Sequence, residues 1–227
     1  MTNTPPKRLA IEGGLVVGYD GSQHGLLPDA TLLIEGDTVK TIHTAGDAVD
    51  ADERVAAHGC LVMPGLINLE ACTYLDFQGL ATDQGHRNYF GPSGFNLAPR
   101  KPQLDRPVNY VSEEEARVTA LYGFLQTLQG GATTVVGANY GDVHPDYSEF
   151  LLEAATQLGV RAYISPAFGA ATHYVTEDGG GAFFWNEDKG RKGLQRGLDF
   201  AHKVKEYQQP YPEADVNTML FPYRADA

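Results

Sequence analysis

Glu70 and Cys72 stand two residues apart at the end of an apolar run, in "PGLINLEACTYLD" (64–76). Carboxylate and thiolate both bind zinc as anions, so the pair has the chemistry of metal ligands. Two ligands alone do not hold a catalytic metal. The same residues also read as a cysteine packed as a small apolar side chain and a glutamate that is solvated or hydrogen-bonded. A nucleophilic Cys72 needs a neighbouring base that the sequence does not place. His144, in "NYGDVHPDY", and His173, in "GAATHYV", each follow an apolar run, where a histidine can contact a substrate; a loop histidine is more often a surface residue. His86 lies in a long irregular stretch, and His24, His43, His58 and His202 read as structural.

The elements that must position these residues change character near residue 60. Before it, "LAIEGGLVVGYDG" and "DATLLIEGDTVKTIHTAGD" combine β-branched runs with glycine and aspartate breakers, which predicts a small antiparallel sheet with tight hairpins. After it, strands alternate with helices. "LVMPGLINL" is continuously apolar, as a strand buried on both faces would be. Thr73 to Val111 is rich in Gly, Pro, Asn and aromatic residues and too long for an ordinary connection.

"SEEEARVTALYGFLQTLQGG" predicts a helix with a capping box at Ser112 and Glu115, an apolar stripe of Val118, Leu121, Tyr122, Leu125 and Leu128, and a stop at Gly130. "ATTVVG" follows as a second strand. Pro145 opens a second helix, with Phe150, Leu151, Ala154, Ala155 and Leu158 as its stripe. "VRAYISP" is a third strand, "AFGAATHYVTEDGGGAFFWNED" a second long loop, Lys189 to Tyr207 a third helix and "VNTMLFPY" a fourth strand. Such alternation implies right-handed crossovers and a parallel sheet. Four strands are too few to close a barrel, and the fourth would present an open edge, so the sequence asks for a partner. The aromatic residues of "RNYFGPSGF" and "GGGAFFW" suit either an apolar ligand or a neighbouring subunit, with the subunit preferred.

Acidic residues outnumber basic ones by 29 to 17, a formal charge of -12 over 227 residues, which argues against nonspecific binding to nucleic acid or anionic membrane. A small neutral or cationic ligand suits the chain better. The two cysteines, Cys60 and Cys72, form no disulfide framework. The first residues lack the apolar stretch of a signal peptide, and no run approaches the roughly 18 apolar residues of a membrane span, so a cytoplasmic setting is expected.

Six segments in order, "IEGGLVVGYDG", "DATLLIEGDTVKTI", "GCLVMPGLIN", "GGATTVVG", "LGVRAYISPAF" and "MLFPY", resemble the N-terminal half of the amidohydrolase superfamily, in particular its cytosine deaminase and chlorohydrolase-like branch. The resemblance implies a small β-sandwich beside a (β/α)8 barrel, with divalent metal, zinc or iron, at the C-terminal ends of the strands. It also implies hydrolysis in which metal-bound hydroxide attacks and strand-end carboxylates shuttle the proton. The family's first two ligands are histidines in an HxH motif just after the "PGLIN" strand; Glu70 and Cys72 occupy those positions here. Tyr223, Arg224 and Asp226 follow the fourth strand, where this branch often presents a substrate-contacting polar side chain.

The expected fold is therefore α/β: a partial β-sandwich over 1–60 and the first four β/α units of a (β/α)8 barrel over 61–227. Glu70 and Cys72 are the catalytic candidates, and His173, Tyr223, Arg224 and Asp226 the substrate-binding ones. A second polypeptide is expected to supply barrel strands five to eight. The expected function is a subunit of an amidohydrolase-like enzyme acting on a non-peptide carbon-nitrogen bond of a small amide or nitrogen heterocycle. The alternative is a degenerate, non-catalytic subunit that stabilises or regulates an active partner.

Overall fold

The computed structural model describes residues 6–71, 73, 112–139, 144–175 and 181–222. They belong to two compact units, Met1–Pro64 and Gly65–Ala227.

The first unit is built on two long strands, β1 (Arg8–Tyr19) and β2 (His24–Glu35), paired antiparallel, with β3 (Thr38–His43) antiparallel on the outer side of β2. The turn between β1 and β2 is closed by Asp20, whose carboxylate accepts from the Ser22 and Gln23 N–H groups at 2.8 and 2.9 Å. Those bonds favour the charged form and hold the Asp20 pKa below its ordinary value. The expectation of a purely antiparallel sheet fails on the other side of β1. There β4 (Glu53–Ala56) and β5 (Leu61–Val62) both pair with β1 in parallel. A nine-residue connection, 44–52, carries the chain from β3 to the other edge of β1, where Leu9–Glu12 receive β4 and Leu15–Val16 receive β5.

"LVMPGLINL" is accordingly not one strand. Leu61–Val62 belong to the first sheet, while β6 (Leu66–Asn68) pairs with β7 (Ala132–Asn139) in the second unit. Pro64 lacks the donor that a continuous ladder needs. Burial on both faces also fails: Ile67 is 65% exposed and Leu69 73%.

The second unit carries a parallel sheet in chain order, β6, β7, β8 (Arg161–Phe168) and β11 (Val216–Thr218), with β12 (Phe221–Pro222) also on β8. The expected fourth strand is thus two short pieces separated by Met219 and Leu220. Among the described residues three helices, α1 (Glu113–Gln129), α2 (Tyr147–Leu158) and α3 (Glu187–Gln208), lie between successive strands of this sheet. Phe124, Leu151, Phe200 and Val204 from the helices share one buried core with Val135, Ala162, Ile164 and Val216 from the strands. All three helices therefore cover the same face of the sheet.

Helix α1 starts as expected. Ser112 N–H donates to the Glu115 carboxylate at 2.7 Å, and Glu115 N–H donates to Ser112 Oγ at 3.3 Å. Its fully buried residues are Ala116, Thr119, Ala120, Gly123 and Phe124; of the expected stripe, Leu121 and Leu128 pack partly against that core, while Val118 is 50% exposed and Leu125 is also exposed. Small residues win because they let the helix backbone approach closely: a Cβ at Gly123 would lie 2.4 Å from Thr73 Cβ. In α2 the expected stripe is the buried one, with Leu158 at its margin. Helix α3 is capped by Asn186, whose side chain accepts from Lys189 N–H at 3.0 Å. It buries Gly193, Gly197, Phe200 and Val204.

The segment after β8, expected as a loop, contains a two-stranded antiparallel hairpin, β9 (Ala171–Val175) and β10 (Gly181–Trp185). Gly181, the last of the glycine run that reads as loop in sequence, is the first residue of β10.

Candidate site at the C-terminal edge of the parallel sheet

Because β6, β7, β8 and β11 run in parallel, the segments that follow them leave from one edge, where ligands of parallel sheets commonly bind. Glu70 follows β6 by two residues and is exposed. Its backbone N–H donates to Asn68 Oδ1 at 3.0 Å. The next residue, Ala71, is buried and donates its N–H to the Val136 carbonyl at 2.8 Å. Thr73 is fully buried, its hydroxyl 2.7 Å from that of Tyr147 at the start of α2. The segment that presents Glu70 is thus fastened to the strand before it, to β7 and to α2. Cys72 lies outside the described residues.

His144 is partly buried ahead of α2. Its Nδ1 accepts from the Asp146 N–H at 3.1 Å, and its ring packs against Phe150 with centroids 5.2 Å apart. It lines a cavity of about 360 Å³ between α2 and α3, together with Glu149, Arg196, Asp199 and Lys203. Lys203 Nζ donates to Glu149 at 2.5 Å, and that hydrogen bond raises the ammonium pKa above its ordinary value. Glu70 is not among the residues that line this cavity.

His173 lies on β9, opposite Phe183 on β10. Tyr223, Arg224, Asp226 and His86 lie outside the described residues; the last described strand, β12, pairs with Ala167 and Phe168 at the end of β8. What the sequence reading missed is that His173 and the "AFFW" aromatic residues share one hairpin. The signal was present in the alternation of Phe183 and Trp185, which puts both on one side of a strand.

The residues also bear on metal binding. Among the described residues no group of three His, Cys, Asp or Glu side chains could hold a metal ion. Of the two candidates that occupy the family's HxH positions, Glu70 alone is described, and the described residues do not compose a metal site. Among the described residues no helix is long and apolar enough to cross a membrane.

No family model matches the chain. It is 28% identical over 159 residues to a 5-methylthioadenosine/S-adenosylhomocysteine deaminase of Halobacterium salinarum, an alignment covering 69% of this chain and 32% of the relative. It is also 28% identical over 138 residues to a 5'-deoxyadenosine deaminase of Methanobrevibacter smithii, covering 60% of this chain and 28% of the relative. The matched part thus spans about a third or less of either curated relative. Among solved structures, atrazine chlorohydrolase from Arthrobacter aurescens TC1, complexed with zinc, superposes with a TM-score of 0.58 at 19% identity, covering 94% of this chain and 46% of that one. Escherichia coli guanine deaminase gives 0.55 at 14% identity, with 95% and 45% covered. The chain thus shares the fold of these hydrolases over a little under half of their length, and along its sequence it is similar to part of the two deaminases.

Proposed function

We propose that this chain forms part of an enzyme that hydrolyses a non-peptide carbon-nitrogen bond of a small amide or nitrogen heterocycle. A second polypeptide supplies barrel strands five to eight. The observation that supports this reading is that the described helices bury only one face of the parallel sheet. Helices cover one side, while on the other Ile67 is exposed and Tyr163 partly so, flanked in register by Val136 and Asn217. Apolar and aromatic side chains on an uncovered sheet face are stabilised by whatever closes over them. Four further strands would make that face the inside of a barrel.

In this reading Glu70 is the proton carrier. Water attacks the carbon that bears the nitrogen, its proton passes to a Glu70 carboxylate oxygen, and Glu70 returns it to the leaving nitrogen as the carbon-nitrogen bond breaks. His173, Tyr223, Arg224 and Asp226 contact the substrate from the segments after the third and fourth strands. If a divalent metal takes part, most of its ligands come from outside the described residues.

A second reading, a degenerate subunit that stabilises or regulates an active partner, is favoured by one feature: Glu70 and Cys72 stand where the family carries its two histidines. The experiment that separates them is ammonia release by the purified assembly from a panel of amides and amino-heterocycles, with metal content measured on the same sample. Loss of at least a hundredfold in kcat for Glu70→Ala, with the assembly intact by light scattering, supports the catalytic reading. Unchanged kcat in Glu70→Ala and Cys72→Ala assemblies supports the degenerate one. A single species of this chain's own mass that is active alone removes the second polypeptide from the proposal.

A further inference from the structure

The hairpin after β8 presents a feature that the barrel does not require. Phe183 and Trp185 occupy alternate positions of β10, so both project from one face, with ring centroids 6.4 Å apart and planes tilted by 44°. They are 40% and 57% exposed, whereas Ala182 and Phe184, on the opposite side of the strand, are partly buried. Across the antiparallel ladder His173 is the residue directly opposite Phe183, and Ala171 is opposite Trp185.

The position of the hairpin matters as much as its composition. β9 begins three residues after Phe168, the end of β8, so the hairpin stands on the same edge of the sheet from which Glu70 emerges. Its base is closed where the Asn186 N–H donates to the Ala170 carbonyl at 2.7 Å, and Asn186 is also the N-cap of α3. A lone two-stranded hairpin is marginal in water. This one is tied to the sheet at one end and to a 22-residue helix at the other, so its aromatic face has a fixed seat.

The size of the patch indicates what fits it. Two aromatic side chains offer a few hundred Å² at most, against roughly 800 Å² per partner in a stable protein interface. A single planar ring system is of matching size, because aromatic faces stack offset or tilted at such separations. We infer that Phe183 and Trp185 form a platform on which the planar ring of a nitrogen heterocycle stacks. This narrows the substrate class of the proposed hydrolase and rests on that reading; amides without a planar ring would not use the platform.

Trp185 is the sole tryptophan of the chain, so within this chain tryptophan emission reports on this position alone. The assembled protein is titrated with adenine, cytosine and melamine, and with cyclohexylamine as a non-planar amine, following emission and, in parallel, calorimetric binding; any tryptophan of a co-purifying chain is accounted for with a Trp185→Phe assembly. The expected result is saturable quenching by at least one planar heterocycle and none by cyclohexylamine. Phe183→Ala should weaken that binding about tenfold or more, the usual scale for loss of one stacking partner, and Phe183→Tyr should restore it. Binding seen by calorimetry without a change in Trp185 emission overturns the platform, as does an affinity unaltered by Phe183→Ala. Failure of every heterocycle to bind also overturns it, and so does shielding of Trp185 from iodide in the ligand-free assembly, which would make this face a subunit interface. Quenching without ammonia release leaves the platform and removes the hydrolytic reading. Ammonia release with kcat/KM unchanged by Phe183→Ala does the reverse.

Discussion

The hydroxyls of Thr73 and Tyr147 lie 2.7 Å apart with both residues fully buried, a bond across 74 residues that ties the segment following Glu70 to the first turn of α2. Removing the Tyr147 hydroxyl takes its partner from the buried Thr73 hydroxyl, which costs about 1–3 kcal/mol, whereas an apolar group of similar shape at position 73 no longer needs that partner. Tyr147→Phe is therefore expected to lower stability by that amount, and Thr73→Val in the same background to recover most of it. Denaturant unfolding of the two single variants and the double variant gives the coupling directly. Additive losses would show that the two hydroxyls do not depend on each other.

Close backbone approach gives a second expectation. A Cβ at Gly193 would lie 2.4 Å from Phe168 Cβ, and one at Gly123 2.6 Å from the Thr73 Cα. Both contacts are to the base of a side chain or to backbone, which cannot swing aside. Gly123→Ala and Gly193→Ala should each destabilise by about 1–3 kcal/mol despite the higher helix propensity of alanine. Thermal melts that rise instead of fall would contradict the packing.

The capping box gives a pH dependence. Hydrogen bonds from the Ser112 hydroxyl and then the Ser112 backbone hold the Glu115 carboxyl below its ordinary value of 4.5. A depressed folded-state pKa means that the contribution is fully present above about 4.5 and is lost as the pH falls through the lower, folded-state value. Helicity in the first turn of α1 should hold at neutral pH and fray in that acidic window. Ser112→Ala should move the Glu115 titration, followed by NMR, back toward the ordinary glutamate range, and an unmoved titration would dismiss the box as its cause.

The sheet face opposite the helices makes a prediction about assembly. Tyr163 and Ile67 take no part in the buried core beneath the helices. Charged replacements there, Tyr163→Glu or Ile67→Asp, should leave the circular dichroism of this chain nearly unchanged yet abolish association with the second polypeptide proposed to close over that face. Size measurement decides it. Retained assembly in both variants would mean that another surface carries the contact.

Where local chemistry was decisive, the sequence was readable. Ser112 and Glu115 marked the start of α1, and the stripe from Phe150 to Leu158 marked the inward side of α2, because capping and periodicity act within a few residues. In α1 the same periodicity misled in part. Two sides of the helix are apolar, and which one turns inward is decided by how closely alanine and Gly123 let the backbone approach Thr73, a distant residue. The continuous apolar run from Leu61 to Leu69 misled for a related reason, since hydrophobicity does not reveal that its two halves join different sheets. The hairpin was hidden by its glycines, although Phe183 and Trp185 carried the alternation of a strand. At the candidate site, the anchoring of Glu70 through Asn68, Val136 and Tyr147 depends on contacts that only folding creates.

In the second unit each parallel strand pairs with the one that comes before it in the chain, β7 on β6, β8 on β7, and β11 and β12 on β8. Among the described strands of this sheet, none waits for a later one to be inserted between it and its neighbour. On the ribosome, where the N-terminal end emerges first, this order lets the sheet grow from a single edge during translation. Each new strand and helix then meets a template that is already complete.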